Sequence, residues 1–137
     1  MGFSGAALVA VVDDDLAVRV ALSSLLRSAG YRCAIFDSAE MFLATGSLRD
    51  VHCMLLDVRM PGMSGLDLHR MLRRMSCEIP VIYVSAAHDV GSRERALAQG
   101  GVAFLTKAFA DEDLLKAIRT ALKDSAVERS GMPGNPS

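Results

Sequence analysis

A chain of 137 residues, 51% hydrophobic and 23% charged, carries enough aliphatic material for one core and is too short for a two-domain enzyme. Its 15 basic and 16 acidic side chains leave a net charge of -1 and a pI near 6.3, so nothing draws the whole segment toward nucleic acid or anionic lipid. A mean hydropathy of +0.29 excludes intrinsic disorder.

The first element is Leu8-Val9-Ala10-Val11-Val12, an unbroken apolar run of the length of a strand buried on both faces. Three aspartates, Asp13, Asp14 and Asp15, follow it, and the period then changes. Val18, Ala21, Leu22, Leu25 and Leu26 recur at helical spacing up to Ala29-Gly30, a stop signal. Cys33 to Phe36 reads as a second strand, and a short helix from about Ser38 to Thr45 opens on a serine cap with Glu40 in its first turn. The third strand, Cys53-Met54-Leu55-Leu56, runs straight into Asp57, and Leu68, Met71, Leu72 and Met75 mark the packing face of the helix beyond it.

Val81 to Val84 forms a fourth strand ending at Ser85. The helix after it, about Val90 to Gln99, has Arg93 and Glu94 where an apolar stripe belongs, which makes it the least firmly anchored. Val102 to Leu105 supplies a fifth strand, followed by Thr106 and Lys107, and Leu114, Ile118, Ala121 and Leu122 carry the last helix. From about Ala126 the pattern dissolves, so residues 6–125 are expected as one domain and 126–137 as a flexible tail or cut linker. Strands alternating with helices, with strands apolar on both faces, imply a doubly wound α/β fold on a parallel five-stranded sheet with right-handed crossovers.

No apolar run reaches the roughly 18 to 20 residues that span a bilayer, and Met1 to Gly5 lacks the basic region of a signal peptide, so a cytoplasmic location is expected. Cys33, Cys53 and Cys77 are odd in number and widely spaced, which reads as structural thiols. His52, His69 and His88 have no partners at metal-ligand spacing and read as surface or loop residues.

In an open parallel sheet, ligands bind beyond the carboxyl ends of the strands. Four of the strands deliver Asp13, Asp14, Asp15, Asp57, Ser85, Thr106 and Lys107 to that edge. Helix capping accounts for Asp15, directly before Leu16, but not for Asp57, a carboxylate that follows a buried strand at once. A divalent cation between Asp14 and Asp57 would compensate it, and magnesium suits few carboxylates completed by water and phosphate oxygens. A carboxylate nucleophile, a metal, an ammonium and a small hydroxyl are together the parts needed to attack phosphorus and neutralise its oxygens.

In order along the chain, VVDDD with Asp13 and Asp14, LLDVRMPGMSG with Asp57, VIYVSA with Ser85 and FLTKAF with Lys107 resemble the motifs of a receiver domain of a two-component response regulator, over Ala6 to Ser125. The resemblance implies a flavodoxin-like sheet of order 2-1-3-4-5. It implies a phosphoacceptor signalling domain, not an enzyme, in which Asp57 takes a phosphoryl group from a sensor histidine kinase or a histidine phosphotransfer protein. By the same resemblance magnesium is held by Asp14, Asp57 and the backbone carbonyl of Arg59, with Asp13 acting through water. Lys107 pairs with the phosphoryl oxygens, Ser85 moves toward them, and Phe104 is the aromatic that turns inward. Met60-Pro61-Gly62 matches the turn after the acceptor, and Ala86 leaves room for the phosphoryl group. The face of helix four, strand five and helix five would then meet an output domain or a second copy. LLRSAGY and LLDVRMPGMSGLDL resemble receivers that precede a helix-turn-helix transcriptional domain.

Two positions depart from the family pattern: Ala108 stands where proline usually follows the lysine, and Gly101 doubles a glycine before strand five. A cis bond before a residue other than proline costs about 3–4 kcal/mol, so Lys107–Ala108 is expected to be trans. Two other readings use the same residues. A degenerate receiver would bind partners without phosphorylation. An aspartate-nucleophile phosphatase of the haloacid dehalogenase type would use Asp13-x-Asp15, but it leaves Asp57 without a role.

Overall fold

Every strand is followed by a helix, and every strand pair is parallel. The computed structural model describes residues 6–46, 48–86 and 90–130, with the backbone alone for residues 90 and 124–130. The elements are β1 (Leu8–Val12), α1 (Leu16–Ser28), β2 (Arg32–Phe36), α2 (Ala39–Thr45), β3 (Cys53–Leu56), α3 (Gly65–Arg74), β4 (Val81–Ser85), α4 (Val90–Ala98), β5 (Ala103–Thr106) and α5 (Asp111–Ser130). The sheet order is β2-β1-β3-β4-β5, the flavodoxin-like order that the resemblance implies.

The alternation of side chains along each strand divides the apolar residues into two layers. Val9, Val11, Leu55, Ile82 and Val84 pack with Leu22 and Leu26 of α1 and with Leu114 and Ile118 of α5. Ala10, Val12, Met54, Leu56 and Tyr83 pack on the other side with Phe42, Leu68, Leu72 and Ala96. Each large aliphatic side chain buried this way contributes about 1.5–3 kcal/mol. The central strands β1, β3 and β4 are buried almost throughout, whereas edge strands β2 and β5 are partly exposed.

The structure corrects two readings of α3. Met71 and Met75, expected on its packing face, are 37% and 51% exposed, and His69, expected at the surface, is 4% exposed. Ser64 caps the helix by accepting from the Asp67 N–H, so it begins at Gly65 and turns Gly65, Leu68, His69 and Leu72 to the sheet. His69 belongs inside because it finds a partner there, the Tyr83 hydroxyl 2.6 Å from its Nδ1. Cys53 is buried and Cys33 and Cys77 are half-buried, all three as free thiols.

The weak apolar stripe of α4 has a counterpart in what it buries: Ser92 and Ala96, a small polar and a small apolar side chain. At the other end, α5 continues to Ser130, past the boundary expected at residue 125. Its extension holds no glycine or proline before Gly131, so no residue there forces the helix to stop. Residues 131–137 of the expected tail, and His88, lie outside the described residues. Among the described residues no helix is long and apolar enough to cross a membrane.

Candidate functional site

Strand register assembles the site. Val12 lies opposite Leu56, so the next residues, Asp13 and Asp57, emerge side by side, and the Asp57 N–H donates to the Val12 carbonyl at 3.0 Å. From the far edge, Ser85 lies opposite Thr106, and the Lys107 N–H donates to the Ser85 carbonyl at 2.7 Å. The acidic loop, the third-strand aspartate, the serine and the lysine therefore share one edge of the sheet.

The aspartates there do different work. Asp15 caps α1, accepting from the N–H groups of Ala17 and Val18 at 2.9 and 3.4 Å, the capping role its position suggests. Asp14 is exposed. Asp13 is buried, with its Oδ1 accepting from the Asp15 N–H at 2.9 Å and its carbonyl accepting from Arg19 Nη1 at 2.7 Å. Asp57 is also buried, and Lys107 Nζ lies 3.2 Å from Asp13 Oδ2 and 3.4 Å from Asp57 Oδ2.

One ammonium thus serves two buried carboxylates. Burial, and then the charge of Asp13, push the Asp57 carboxyl up to about 6, against the pull of Lys107 and the Arg59 N–H. Burial also raises the pKa of Asp13, opposed by the Asp15 N–H and Lys107. Burial disfavours the charge on Lys107 as well, but Asp57 and Asp13 outweigh it and raise that pKa. Carboxylate oxygens of Asp13, Asp14 and Asp57 lie within 4.8 Å of one another. Three carboxylates against one ammonium leave surplus negative charge among hard oxygen donors, which fits a divalent cation such as magnesium.

The loop after Asp57 is held by a residue that motif spacing does not single out. Glu40 Oε2, from α2, accepts from the Met63 N–H at 2.8 Å. It lies where a side chain on Gly62, whose φ is +78°, would sit, 2.7 Å from that Cβ position. Glu40→Ala is expected to cost about 1 kcal/mol, and Glu40→Gln, which still accepts, to recover most of it. Urea unfolding of the two variants checks this. Arg19 is a second residue missed at the sequence level, since a guanidinium holding a backbone carbonyl six residues back has no motif.

Ser85 is buried, and Arg59 and Ala86 are exposed. Phe104 is 8% exposed and lies inward, stacked on Tyr83 with ring centroids 6.0 Å apart and planes 28° from parallel. The Lys107–Ala108 bond is trans, as expected for a bond without proline, and no cis bond occurs among the described residues.

The response regulator receiver domain pattern matches residues 9–119. The chain belongs to the response regulator receiver family. It is 44% identical to the response regulator protein TodT of Pseudomonas putida over 93% of this chain and 56% of that protein. It is 35% identical to the transcriptional regulatory protein FixJ of Bradyrhizobium diazoefficiens over 84% of this chain and 56% of that protein. Among solved structures, the response regulator StyR superposes with a TM-score of 0.86 at 39% identity, covering 95% of this chain and 66% of that one. The receiver therefore spans little more than half the length of these curated relatives. Receivers are signalling domains, and this receiver carries their acidic pocket in Asp13, Asp14 and Asp57.

Proposed function

We propose that the domain accepts a phosphoryl group on Asp57 from a phosphohistidine of a sensor histidine kinase or histidine phosphotransfer protein, and that the acylphosphate changes the surface it offers to an output domain or a second copy. The observation that carries this reading is the single ammonium of Lys107 set between the buried carboxylates of Asp13 and Asp57, beside the exposed Asp14. In the transfer, a carboxylate oxygen of Asp57 bonds to phosphorus, the phosphorus–nitrogen bond of the donor breaks, and the imidazole leaves with its electron pair. Magnesium, held by Asp14, Asp57 and the Arg59 carbonyl with Asp13 acting through water, would neutralise charge on the phosphoryl oxygens.

Lys107 is already oriented toward Asp57 and can follow the phosphoryl oxygens as they arrive. Ser85, at the end of β4, would offer them its hydroxyl. Phe104 is buried on the Tyr83 ring, and contact of the phosphoryl group with Ser85 would favour one arrangement of α4, β5 and α5 over others, which is a population shift. The domain works in the cytoplasm.

Intact-mass measurement after incubation with acetyl phosphate and magnesium tests the assignment. One phosphoryl group is expected on the parent protein and none on Asp57→Asn; an equal gain on the variant refutes it. Asp14→Asn is expected to weaken magnesium binding at least tenfold by titration, since it removes one of two direct carboxylates. Absence of any adduct on the parent protein would favour a degenerate receiver, whose distinguishing feature is the Ala108 loop.

A further inference from the structure

A chain of buried and half-buried polar groups on the α3 side of the sheet has no part in the phosphoryl chemistry proposed above, and its hydrogen bonds can be followed in order. The Leu66 carbonyl can only accept, so the Gln99 group 3.1 Å from it is the amide nitrogen, Nε2. That nitrogen lies 3.0 Å from the Tyr83 hydroxyl oxygen and donates to it. With that donor on its oxygen, the Tyr83 O–H can donate onward to His69 Nδ1, 2.6 Å away. In that arrangement His69 accepts at Nδ1 and is neutral, so its one ring proton sits on Nε2. Burial, followed by the nearby Arg73 guanidinium, lowers its pKa to about 4, in agreement with that neutral form.

His69 also lines a cavity of about 440 Å³ between the end of α3 and the turn before β5, away from the acidic edge. No partner for Nε2 is found among the described residues. Arg73 lines the same cavity, its Nη1 lying across Gly100 only 2.3 Å from where a Cβ would be. Among the described residues it forms no ion pair, although Glu78 stands on the same wall. Ile79, Pro80 and Val102 supply apolar surface.

From these groups we infer that the cavity is a second ligand site, taking a small monocarboxylate with a short apolar body. The carboxylate accepts from His69 Nε2–H and from Arg73, and the body lies on Ile79, Pro80 and Val102. Glu78 disfavours a dianion such as phosphate, and the Arg73 guanidinium disfavours a cation. The site reports to the switch region directly, because His69 holds the Tyr83 ring on which Phe104 stacks.

Butyrate titrated into isotope-labelled protein, without magnesium or phosphoryl donor, is the test, followed through the His69, Tyr83 and Phe104 ring resonances. A saturable shift with a Kd of about 1–10 mM is expected, in line with the contact such a small ligand can make. Phosphate should bind more weakly and butylammonium not at all. Arg73→Gln, a surface change, should weaken butyrate at least fivefold, and His69→Gln should do the same. Any of three results overturns the inference: no saturable shift, butylammonium or phosphate matching butyrate, or unchanged affinity in Arg73→Gln. Because no phosphoryl donor is used, none of these results depends on the role of Asp57.

Discussion

Asp57→Asn is expected to make the unliganded protein lose stability steeply on acidification, while His69→Gln makes it gain. The folded pKa of His69 is held near 4 by burial and by Arg73, against an ordinary 6.5. Its contribution is fully present above pH 6.5 and is lost as pH falls toward 4. Asp57 runs the other way, held near 6 by burial and by Asp13 against an ordinary 3.8. Its contribution is fully present below pH 3.8 and is lost as pH rises through 6. At about 1.4 kcal/mol per pKa unit, and discounting for solvent that still reaches both groups, each is worth about 2 kcal/mol. The windows overlap and the signs oppose, so in the parent protein the two nearly cancel.

Removing Asp57 exposes the histidine dependence, and removing His69 exposes the carboxylate dependence. At neutral pH Asp57→Asn should be the more stable protein by about 1–2 kcal/mol, because it replaces an ionised buried carboxylate with a neutral amide. Urea unfolding in magnesium-free buffer at about pH 4.5 and pH 7 separates the three proteins, since every other titrating group is common to them. Parallel pH dependences for parent and variants would contradict the opposition.

Gly65→Ala is expected to be among the most damaging single-methyl changes available to the chain. A Cβ there would lie 2.0 Å from the backbone oxygen of Asp57 and 3.1 Å from Leu56 Cγ. Neither can retreat: the first is main chain at the end of β3, and the second is packed in the core. A loss of about 3 kcal/mol or more follows, with displacement of the loop that carries Asp57. Gly91→Ala is the matching control, since a Cβ there meets nothing within 4 Å and the position is helical. It should stabilise α4 by about 0.5 kcal/mol. Comparing the two urea midpoints tests the argument, and an equal effect of both substitutions would refute it.

The strands and the site were legible because both rest on local signals. Apolar runs such as Leu8–Val12 and Cys53–Leu56 announce buried strands, and the polar residues that end them announce the edge where a ligand binds. The strand order was not legible from periodicity, which says nothing about which strands are neighbours; it came with the resemblance. His69 was misread because an imidazole is counted as polar until its partner is known, and Tyr83 lies 14 residues away on another element. Glu40 and Arg19 escaped for the same reason, each acting on a main-chain group that has no sequence signature. Met71 and Met75 were placed inward because hydrophobic identity was weighed above the phase that the Ser64 cap imposes.

The sheet that parts the apolar residues into two layers also parts the molecule's tolerance of change. Among the described residues, those under α1 and α5 and those under α2, α3 and α4 fall into separate core clusters on the two faces of the sheet, so the effects of their substitution on stability should sum with little interaction when the positions are well separated. Such a protein can be revised one side at a time. A sequence drifting on the α1 and α5 side need not renegotiate the packing around Tyr83 and Phe104, and the residues at the carboxyl edge of the sheet are the ones answerable to both halves.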